Sequence, residues 1–290
     1  MEPRRIGRLN SLVGGLSLEF SWVKHVVHYV VSRQNMDGGY AFCQGLESNA
    51  QDTYYGLAIL ELLGVAFPNF EKTVEWLHSF TPYDLYSHYY LAKALRICRE
   101  EPDMEKLRGF ILSLPVVHGG LMVDSVYIEA ASELLPVYMA LELAGLADVK
   151  VDRDKLIDQL LGFKNPDGGF GVGHYSSLNA TYHAVASLHS LGFPVRSLGE
   201  TISYVRACEK PSGGFTATPR SYGVYMEHTY YGISILNLMG ENPRFPEETA
   251  TFIFNCQNSN GGFARSNLGI STFEDTFYAV NTLKKIGKLK

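Results

Sequence analysis

The sequence lacks the features that define several large classes of protein. Its four cysteines lie far apart and form no CxxC pair, which argues against a disulfide framework or a zinc ribbon. No cluster of lysine and arginine marks a nucleic-acid surface, and no apolar run is long enough to span a bilayer. The first 20 residues carry arginines but only a short, broken apolar stretch, so a secretory signal is not expected.

Runs of alternating polar and β-branched residues, which would mark strands, are also missing. The chain is instead 46% hydrophobic and 19% charged, with a net charge of −5. This composition is typical of a globular protein with a large core. It predicts a soluble, cytoplasmic protein without a nucleic-acid partner.

Two short patterns recur along the chain. The first is a Gly-Gly turn, as in "NMDGGY" (35–40), "NPDGGF" (165–170), "KPSGGF" (210–215) and "NSNGGF" (258–263). The second is a glycine that closes an apolar helix, at Gly64, Gly145, Gly192, Gly240 and Gly287, with spacings of 81, 47, 48 and 47 residues. The long first interval holds an extra unit, "LYSHYYLAKALRIC" (85–98), which lacks both patterns. The spacing predicts a single domain over 1–290 with six repeats, near 20–64, 68–98, 104–145, 154–192, 197–240 and 245–287.

Each repeat is predicted to contain two helices. The first helix is amphipathic and the second is apolar nearly all round, as expected for outer and inner helices of a packed array. The predicted inner helices lie near 49–64, 84–98, 126–145, 177–192, 225–240 and 272–287. We therefore expect an all-α protein in which six helical hairpins close into an α6/α6 toroid.

The Gly-Gly-Phe/Tyr turns followed by "DTYYGLAILELLG" (52–64) resemble the repeat of prenyltransferases and squalene cyclases. The resemblance covers nearly the whole chain and implies the α/α toroid of protein prenyltransferase β subunits and class II terpene cyclases. It implies an isoprenoid-handling enzyme that binds a prenyl or prenyl-diphosphate chain in an aromatic-lined central cavity. Because one fold hosts several activities, a non-catalytic toroid that binds a protein or a ligand is an alternative.

The zinc ligands of protein prenyltransferases are only partly matched. The family binds zinc through Asp-x-Cys on one inner helix and His on the next, and the corresponding positions here hold Ala180, Tyr182 and His228. The basic residues that hold the diphosphate are also missing, since "HYSSLN" (174–179) offers only His174. Zinc is the one cofactor that the resemblance implies, and we expect no zinc site of this type.

Class II terpene cyclases use Asp-x-Asp-Asp-Thr, whose middle acid protonates an alkene or epoxide. The nearest match is "TFEDT" (272–276), which places Glu274 at the proton donor and Asp275 beside it. However, "STFE" (271–274) also matches a capping box with Ser271 as N-cap, and "SNAQ" (48–51) fits the same template. A structural role of Glu274 therefore stays open beside the catalytic one.

Aligning the inner helices on their closing glycines places Asp52, Glu133, Ala180, His228 and Asp275 in one equivalent position near the helix start. In a closed ring His228, Asp275 and Asp52 would meet across the seam, as a focus for proton donation or metal binding. The alternative is that each residue only interacts with its own helix terminus.

The candidate catalytic residues are therefore His228, Asp275, Asp52 and Glu274. Aromatic and histidine side chains one turn further on would contact an isoprenoid chain and stabilise a carbocation by cation–π attraction. These candidate substrate-binding residues are Tyr54, Tyr55, Tyr90, His183, Tyr230, Tyr231, Phe277 and Tyr278. Core packing, with hydroxyls bonded across helices, is the alternative role of the tyrosines.

Overall fold

The computed structural model describes residues 21–121 and 132–289 and is all-helical over these ranges. The α-helices are α1 Ser21–Val31, α2 Ala50–Leu62, α3 Phe70–Ser79, α4 Leu85–Ile97, α5 Met104–Leu112, α6 Leu135–Leu146, α7 Arg153–Leu161, α8 Leu178–Ser190, α9 Gly199–Cys208, α10 Met226–Met239, α11 Pro246–Asn255 and α12 Phe273–Lys285. Within the same ranges β-structure is limited to isolated antiparallel bridges, most of them at the Gly-Gly turns. None of the helices in these ranges combines the length and the apolar sequence that crossing a membrane requires.

Five of the six predicted inner helices begin and end within two residues of the predicted bounds. Their ends are fixed by local chemistry. The Ser177 hydroxyl accepts a hydrogen bond from the N–H of Ala180 at the start of α8, and Gly240 takes a left-handed φ of 79° after α10. Side-chain caps and left-handed glycines are the usual signals for helix termini.

The third repeat differs from the prediction. The predicted helix 126–145 lies partly outside the described residues, and within them the helix begins only at Leu135. Pro136 lies in its first turn, where a missing N–H costs least. Gly145 lies inside the helix and does not close it; the left-handed residue is Asp148, with a φ of 52°.

This difference corrects the alignment of the repeats. The third repeat is aligned on Asp148 and no longer on Gly145, which shifts every position in it by three residues. Pro136 then takes the position predicted for Glu133, and Tyr138 takes the position predicted for Leu135. In the second repeat Arg99, with a φ of 61°, takes the left-handed position that has no glycine.

Four of the Gly-Gly turns are joined to the helix that follows them by the same hydrogen bond. The N–H of the turn's aromatic residue donates to a threonine hydroxyl in the first turn of the inner helix, at 3.0–3.2 Å. All of these side chains are fully buried. The four pairs are Tyr40–Thr53, Phe170–Thr181, Phe215–Thr229 and Phe263–Thr276. A buried N–H needs an acceptor, which explains why threonine recurs in "DTYYG" and its equivalents.

The chain groups into two compact units. Within the described residues, unit 1 contains 21–83, 90–102 and 254–281, and unit 2 contains 84–89, 103–121, 132–253 and 282–289. In both units a Gly-Gly turn packs on the outer helix of the next repeat. A Cβ on Gly168 in unit 2 would lie 2.3 Å from the carbonyl oxygen of Glu200, so only glycine fits there.

Unit 1 contains residues of the first repeat and residues 254–281 of the last repeat, which pack against each other. The last turn approaches α1 so closely that a Cβ on Gly261 would lie 2.1 Å from the carbonyl oxygen of His25. The ring centroid of Trp22 in α1 lies 5.7 Å from that of Phe254 and 6.3 Å from that of Phe263. The last Gly-Gly turn thus contacts α1 in the same way that Gly168 contacts the outer helix of the next repeat.

Candidate active site

Glu274 lies in the first turn of α12, within unit 1, and is bonded by two tyrosines. Its Oε1 accepts hydrogen bonds from the hydroxyl of Tyr55 at 2.9 Å and from that of Tyr278 at 2.8 Å. The Tyr55 hydroxyl also lies 3.4 Å from the hydroxyl of Tyr90. Three inner helices, α2, α4 and α12, therefore contribute to one hydrogen-bonded chain, which is buried at Tyr55 and Tyr90 and partly exposed at Glu274.

Aromatic rings pack around Tyr55, one of the two donors to this carboxyl group. The ring centroid of Tyr55 lies 5.3 Å from that of Phe277 and 5.1 Å from that of Tyr54, and Tyr55 is 5% exposed. Burial raises the pKa of Tyr55 well above its ordinary value, and the charge of Glu274 adds to this effect. Tyr55 therefore stays protonated near neutral pH and can donate its hydrogen bond to Glu274.

The predicted capping role of Glu274 is wrong. The N-cap of α12 is Thr272, whose hydroxyl accepts from the N–H of Asp275 at 2.9 Å and donates to its Oδ2 at 2.7 Å. The box is displaced by one residue from Ser271 and Glu274, because the helix begins at Phe273. The hydrogen bonds of the cap therefore join Thr272 and Asp275, each one residue beyond the predicted pair.

The same displacement occurs at the start of α2. The side-chain oxygen of Asn49, not of Ser48, accepts from the N–H of Asp52 at 2.8 Å, and the Asn49 amide donates to Asp52 Oδ2 at 2.7 Å. Asp52 and Asp275 therefore each bond to the residue that caps their own helix, and whether they also form a catalytic focus stays a prediction.

Asp52 and Asp275 also share an environment in unit 1. Burial raises the pKa of Tyr29 to about 12; Arg33 opposes this, and the charges of Asp52 and Asp275 both reinforce it. Burial likewise raises the pKa of Asp52, against the hydrogen bonds from Asn49 and the N–H of Phe42. The charges of the two aspartates thus both favour the protonated form of the Tyr29 hydroxyl.

His228 belongs to unit 2. It is 4% exposed, and its Nε2 lies 3.7 Å from Oε1 of Glu227. Its ring centroid lies 5.7 Å from that of Tyr225. Because His228 and the two aspartates belong to different units, their association stays a prediction.

A row of tyrosines crosses unit 2 from helix to helix. Successive ring centroids are separated by 6.3 Å from Tyr89 to Tyr138, 6.0 Å from Tyr138 to Tyr182 and 5.9 Å from Tyr182 to Tyr230. On the corrected alignment these residues are equivalent to Tyr54 and Phe277, whose centroids lie 6.2 Å apart in unit 1. Sequence reasoning missed Tyr89 and Tyr138, because Arg99 and Asp148 replace the glycines on which the alignment depended.

His183 lies inside this aromatic region. It is 3% exposed, and its ring centroid is 5.2–5.6 Å from those of Tyr138, Tyr182 and Tyr231. Burial lowers the pKa of His183 to about 3, and the backbone of Asn179 opposes the shift only in part. The imidazole is therefore neutral at physiological pH and offers no positive charge to a diphosphate.

Tyr230 and Lys285 interact in the same unit. The Nζ of Lys285 lies 4.5 Å from the ring centroid of Tyr230 and donates to the buried hydroxyl of Ser234 at 2.6 Å. Although the residue as a whole is exposed, removal of its ammonium group from water lowers the pKa of Lys285 to about 8.

The zinc ligands of the family do not fit the residues present. The Tyr182 ring, at the position of the ligand cysteine, stacks on Tyr231 at 4.7 Å with an interplanar angle of 20°, and Ala180 has no donor atom in its side chain. No group of three or more His, Cys, Asp or Glu side chains is arranged to hold a metal ion within 21–121 and 132–289.

The all-α hairpin repeats and the aromatic inner helices define an α/α toroid protein. The family model of the prenyltransferase alpha-alpha toroid domain matches residues 9–81 and 125–290, and the chain belongs to this family. No curated protein matches the sequence.

Solved structures with the same fold include two kinds of enzyme. Protein geranylgeranyltransferase-I from Candida albicans, complexed with GGPP, is 18% identical, with a TM-score of 0.61 over 98% of this chain and 91% of that one. A variant of the type II terpene cyclase MstE from Scytonema, in complex with the product merosterolic acid A, is 12% identical, with a TM-score of 0.60 over 98% and 99%. Another MstE variant, with the substrate geranylgeranyl dihydroxybenzoate, is 13% identical, with a TM-score of 0.57 over 97% of each chain. At these identities the likeness concerns the fold alone.

Proposed function

We propose that this protein is an isoprenoid-handling enzyme that protonates a prenyl chain and promotes its cyclisation, with Glu274 as the acid. The observation that carries the proposal is the pair of tyrosine hydroxyls on Glu274 Oε1, one of which belongs to Tyr55, whose buried ring packs against Phe277. The prenyl ligands of the structurally similar enzymes, GGPP and geranylgeranyl dihydroxybenzoate, support a prenyl chain as the substrate class.

The proposed reaction has two requirements: an acid that donates a proton, and an environment that stabilises the resulting carbocation. Protonated Glu274 breaks its O–H bond and forms a C–H bond at a terminal alkene, which leaves a positive charge on the neighbouring carbon. The hydroxyls of Tyr55 and Tyr278 then hold the carboxylate through charge-assisted hydrogen bonds. Alkene electrons of the same chain close the ring, and loss of a proton to a base ends the reaction.

The aromatic residues supply the second requirement. Rings such as Tyr54, Tyr90 and Phe277 present π-faces that attract a carbocation, and they bury the apolar chain. Asp52 and Asp275 keep α2 and α12 in place through their caps, and this makes them positioning residues in the proposal. His228 remains the candidate for proton transfer in unit 2.

The test is product analysis in deuterated water. The protein is incubated with geranylgeranyl diphosphate, farnesyl diphosphate or a geranylgeranylated aromatic acid, and products are analysed by mass spectrometry. Initiation by Glu274 predicts a cyclic product that carries one deuterium at the protonated carbon. Glu274→Gln should lower the rate by roughly 10²-fold or more, whereas Glu61→Gln, an exposed glutamate on α2, should leave it unchanged.

A peptide thiol in the same incubation separates cyclisation from transfer. Prenylation of the thiol without a cyclic product would contradict the proposal and assign the protein to the transferases. Unchanged turnover in Glu274→Gln would place the acid elsewhere.

A binding protein without catalysis is the second candidate, and the close packing of the aromatic rings favours it. Tyr182 stacks on Tyr231, and His183 lies among these rings, so side chains occupy space that a substrate would need. This candidate predicts that no prenyl compound is converted and that Glu274→Gln has no effect on ligand binding.

A further inference from the structure

Three of the Gly-Gly turns are bonded to the loop that follows them by a chain of two side-chain hydrogen bonds. We call this chain, which links three side chains, a polar latch. An asparagine amide of the turn donates to a serine hydroxyl of the loop, and this hydroxyl donates to an Asp or Asn oxygen of the turn, at 2.7–3.1 Å. The latches are Asn35–Ser48–Asp37, Asn165–Ser176–Asp167 and Asn258–Ser271–Asn260. The asparagine amide, the serine hydroxyl and one Asp or Asn oxygen of each latch are thus paired within the protein and are not available to a ligand.

The fifth repeat has lost all three latch residues. Lys210 replaces the asparagine, Ser212 replaces the Asp or Asn, and Val224 replaces the serine. At this place the structure has a cleft of about 510 Å³, lined by residues that include Lys210, Ser212, Pro219, Arg220, Ser221 and Tyr222. A volume of this size is in the range of small-molecule sites.

The cleft is also positively charged. The segment 210–225 contains Lys210 and Arg220 and no acidic residue, whereas the equivalent segment 35–48 contains two acids and no lysine or arginine. The nearest acid in the sequence, Glu209, has a fully buried side chain that is bonded to Arg206 and Arg244. The positive charge of the cleft is therefore not neutralised by its own lining.

The cleft offers donors and an aromatic surface. Lys210 Nζ donates to the carbonyl of Pro219 at 3.1 Å and so holds the loop over the turn. Arg220 is exposed and makes no hydrogen bond or ion pair with any residue that the structure describes, and Tyr222 is 98% exposed. Arginine and lysine together match the oxygens of a phosphoryl group.

We infer that this cleft binds a phosphate-bearing ligand, with the phosphoryl group between Lys210 and Arg220 and the organic part against Tyr222 and Pro219. The inference does not depend on the proposed cyclisation, because Glu274 belongs to unit 1 and the cleft to unit 2. A soluble phosphate ester and a phospholipid headgroup carry the same recognised chemistry.

The test uses the full chain and two probes. Inorganic pyrophosphate is titrated by calorimetry, and vesicles of phosphatidic acid in phosphatidylcholine are compared with vesicles of phosphatidylcholine alone. Arg220→Ala should weaken binding by about tenfold or more, the effect of losing a charge-assisted hydrogen bond. Arg265→Ala is the matched control, because Arg265 is an exposed arginine in the corresponding loop of the sixth repeat.

A second variant restores the latch that the other repeats have. Lys210→Asn, Ser212→Asp and Val224→Ser together should abolish binding, while circular dichroism shows a folded protein. Pyrophosphate binding that depends on Arg220 supports a soluble ligand, and binding only to phosphatidic acid vesicles with the same dependence supports a headgroup. Absence of binding to both probes, or equal losses in Arg220→Ala and Arg265→Ala, would overturn the inference. Glu274→Gln should bind either probe as the unchanged protein does.

Discussion

Gly261, in the turn of the last repeat, lies against the main-chain carbonyl of His25, in the first helix that the structure describes. A Cβ on Gly261 would be 2.1 Å from that carbonyl oxygen. The contact joins residues 236 positions apart (261 minus 25), and it repeats the geometry by which Gly168 meets Glu200 inside the array.

Gly261→Ala should therefore destabilise the protein more than the backbone conformation alone requires. Gly45→Ala is the control, because Gly45 has a similar φ of 91°, against 94° for Gly261, but nothing within 4 Å of its added Cβ. Both variants bear the cost of a left-handed residue, roughly 1–2 kcal/mol. Gly261→Ala should lose roughly 1–3 kcal/mol more by overpacking, measured as the free energy of unfolding in urea. Equal losses would show that the contact is not tight in solution.

The bond from the N–H of Phe263 to the hydroxyl of Thr276 predicts a large effect of a small change. Thr276→Val keeps the volume and removes the acceptor, so a fully buried N–H is left without it. The expected loss is about 1–3 kcal/mol in unfolding free energy, with faster hydrogen exchange at the Phe263 amide. Thr276→Ser, which keeps the hydroxyl, should retain slow exchange at that amide.

The two tyrosines on Glu274 should be energetically coupled to it. A double-mutant cycle of Tyr278→Phe and Glu274→Gln should give an interaction energy of about 0.5–3 kcal/mol, as is usual for residues in one hydrogen-bonded network. The same cycle with Tyr55→Phe tests the second donor from a different helix. Additive unfolding free energies in both cycles would mean that the hydrogen bonds at 2.8 and 2.9 Å contribute nothing to stability.

Lys285 should react with amine reagents at a pH where ordinary lysines do not. A pKa lowered to about 8 by burial leaves half of its amines neutral at pH 8, whereas an ordinary pKa near 10.4 leaves well under about 1% neutral. Since only the neutral amine is nucleophilic, trinitrobenzenesulfonate should label Lys285 several-fold faster than its exposed neighbour Lys284 at pH 8. Peptide mapping by mass spectrometry measures both rates, and the difference should shrink as the pH rises toward 10.5.

Much of the fold could be predicted because the residues at helix ends are determined by local conformational preferences. Gly240 closes α10 with a left-handed φ, and the spacing of such glycines gave the repeats. The prediction failed at Asp148, since an aspartate also tolerates this conformation and nothing in its immediate sequence distinguishes it from a surface residue. That one substitution displaced the alignment and hid Tyr138.

The site could be predicted only in part, for a different reason. "TFEDT" pointed to Glu274, but the two donors on its carboxylate come from Tyr278, one turn away, and from Tyr55, more than 200 residues away in sequence. Local sequence also favoured a capping box at Ser271 and Glu274, because the motif at Thr272 and Asp275 ends in an acid that is less usual there than Glu or Gln. Only the position of the first helical residue decides between the two registers.

The contact between Gly261 and His25 has a consequence for how the chain is made. A ribosome makes α1 before the last repeat, yet the surface of α1 around Trp22 and Tyr29 packs against Phe254, Phe263 and Gly262, which lie more than 200 residues later in the sequence. Until those later residues are made, this apolar surface of α1 is exposed in the nascent chain. Exposed apolar surface makes incompletely folded chains prone to aggregate. Truncation within the last repeat should therefore harm the beginning of the chain as much as its end.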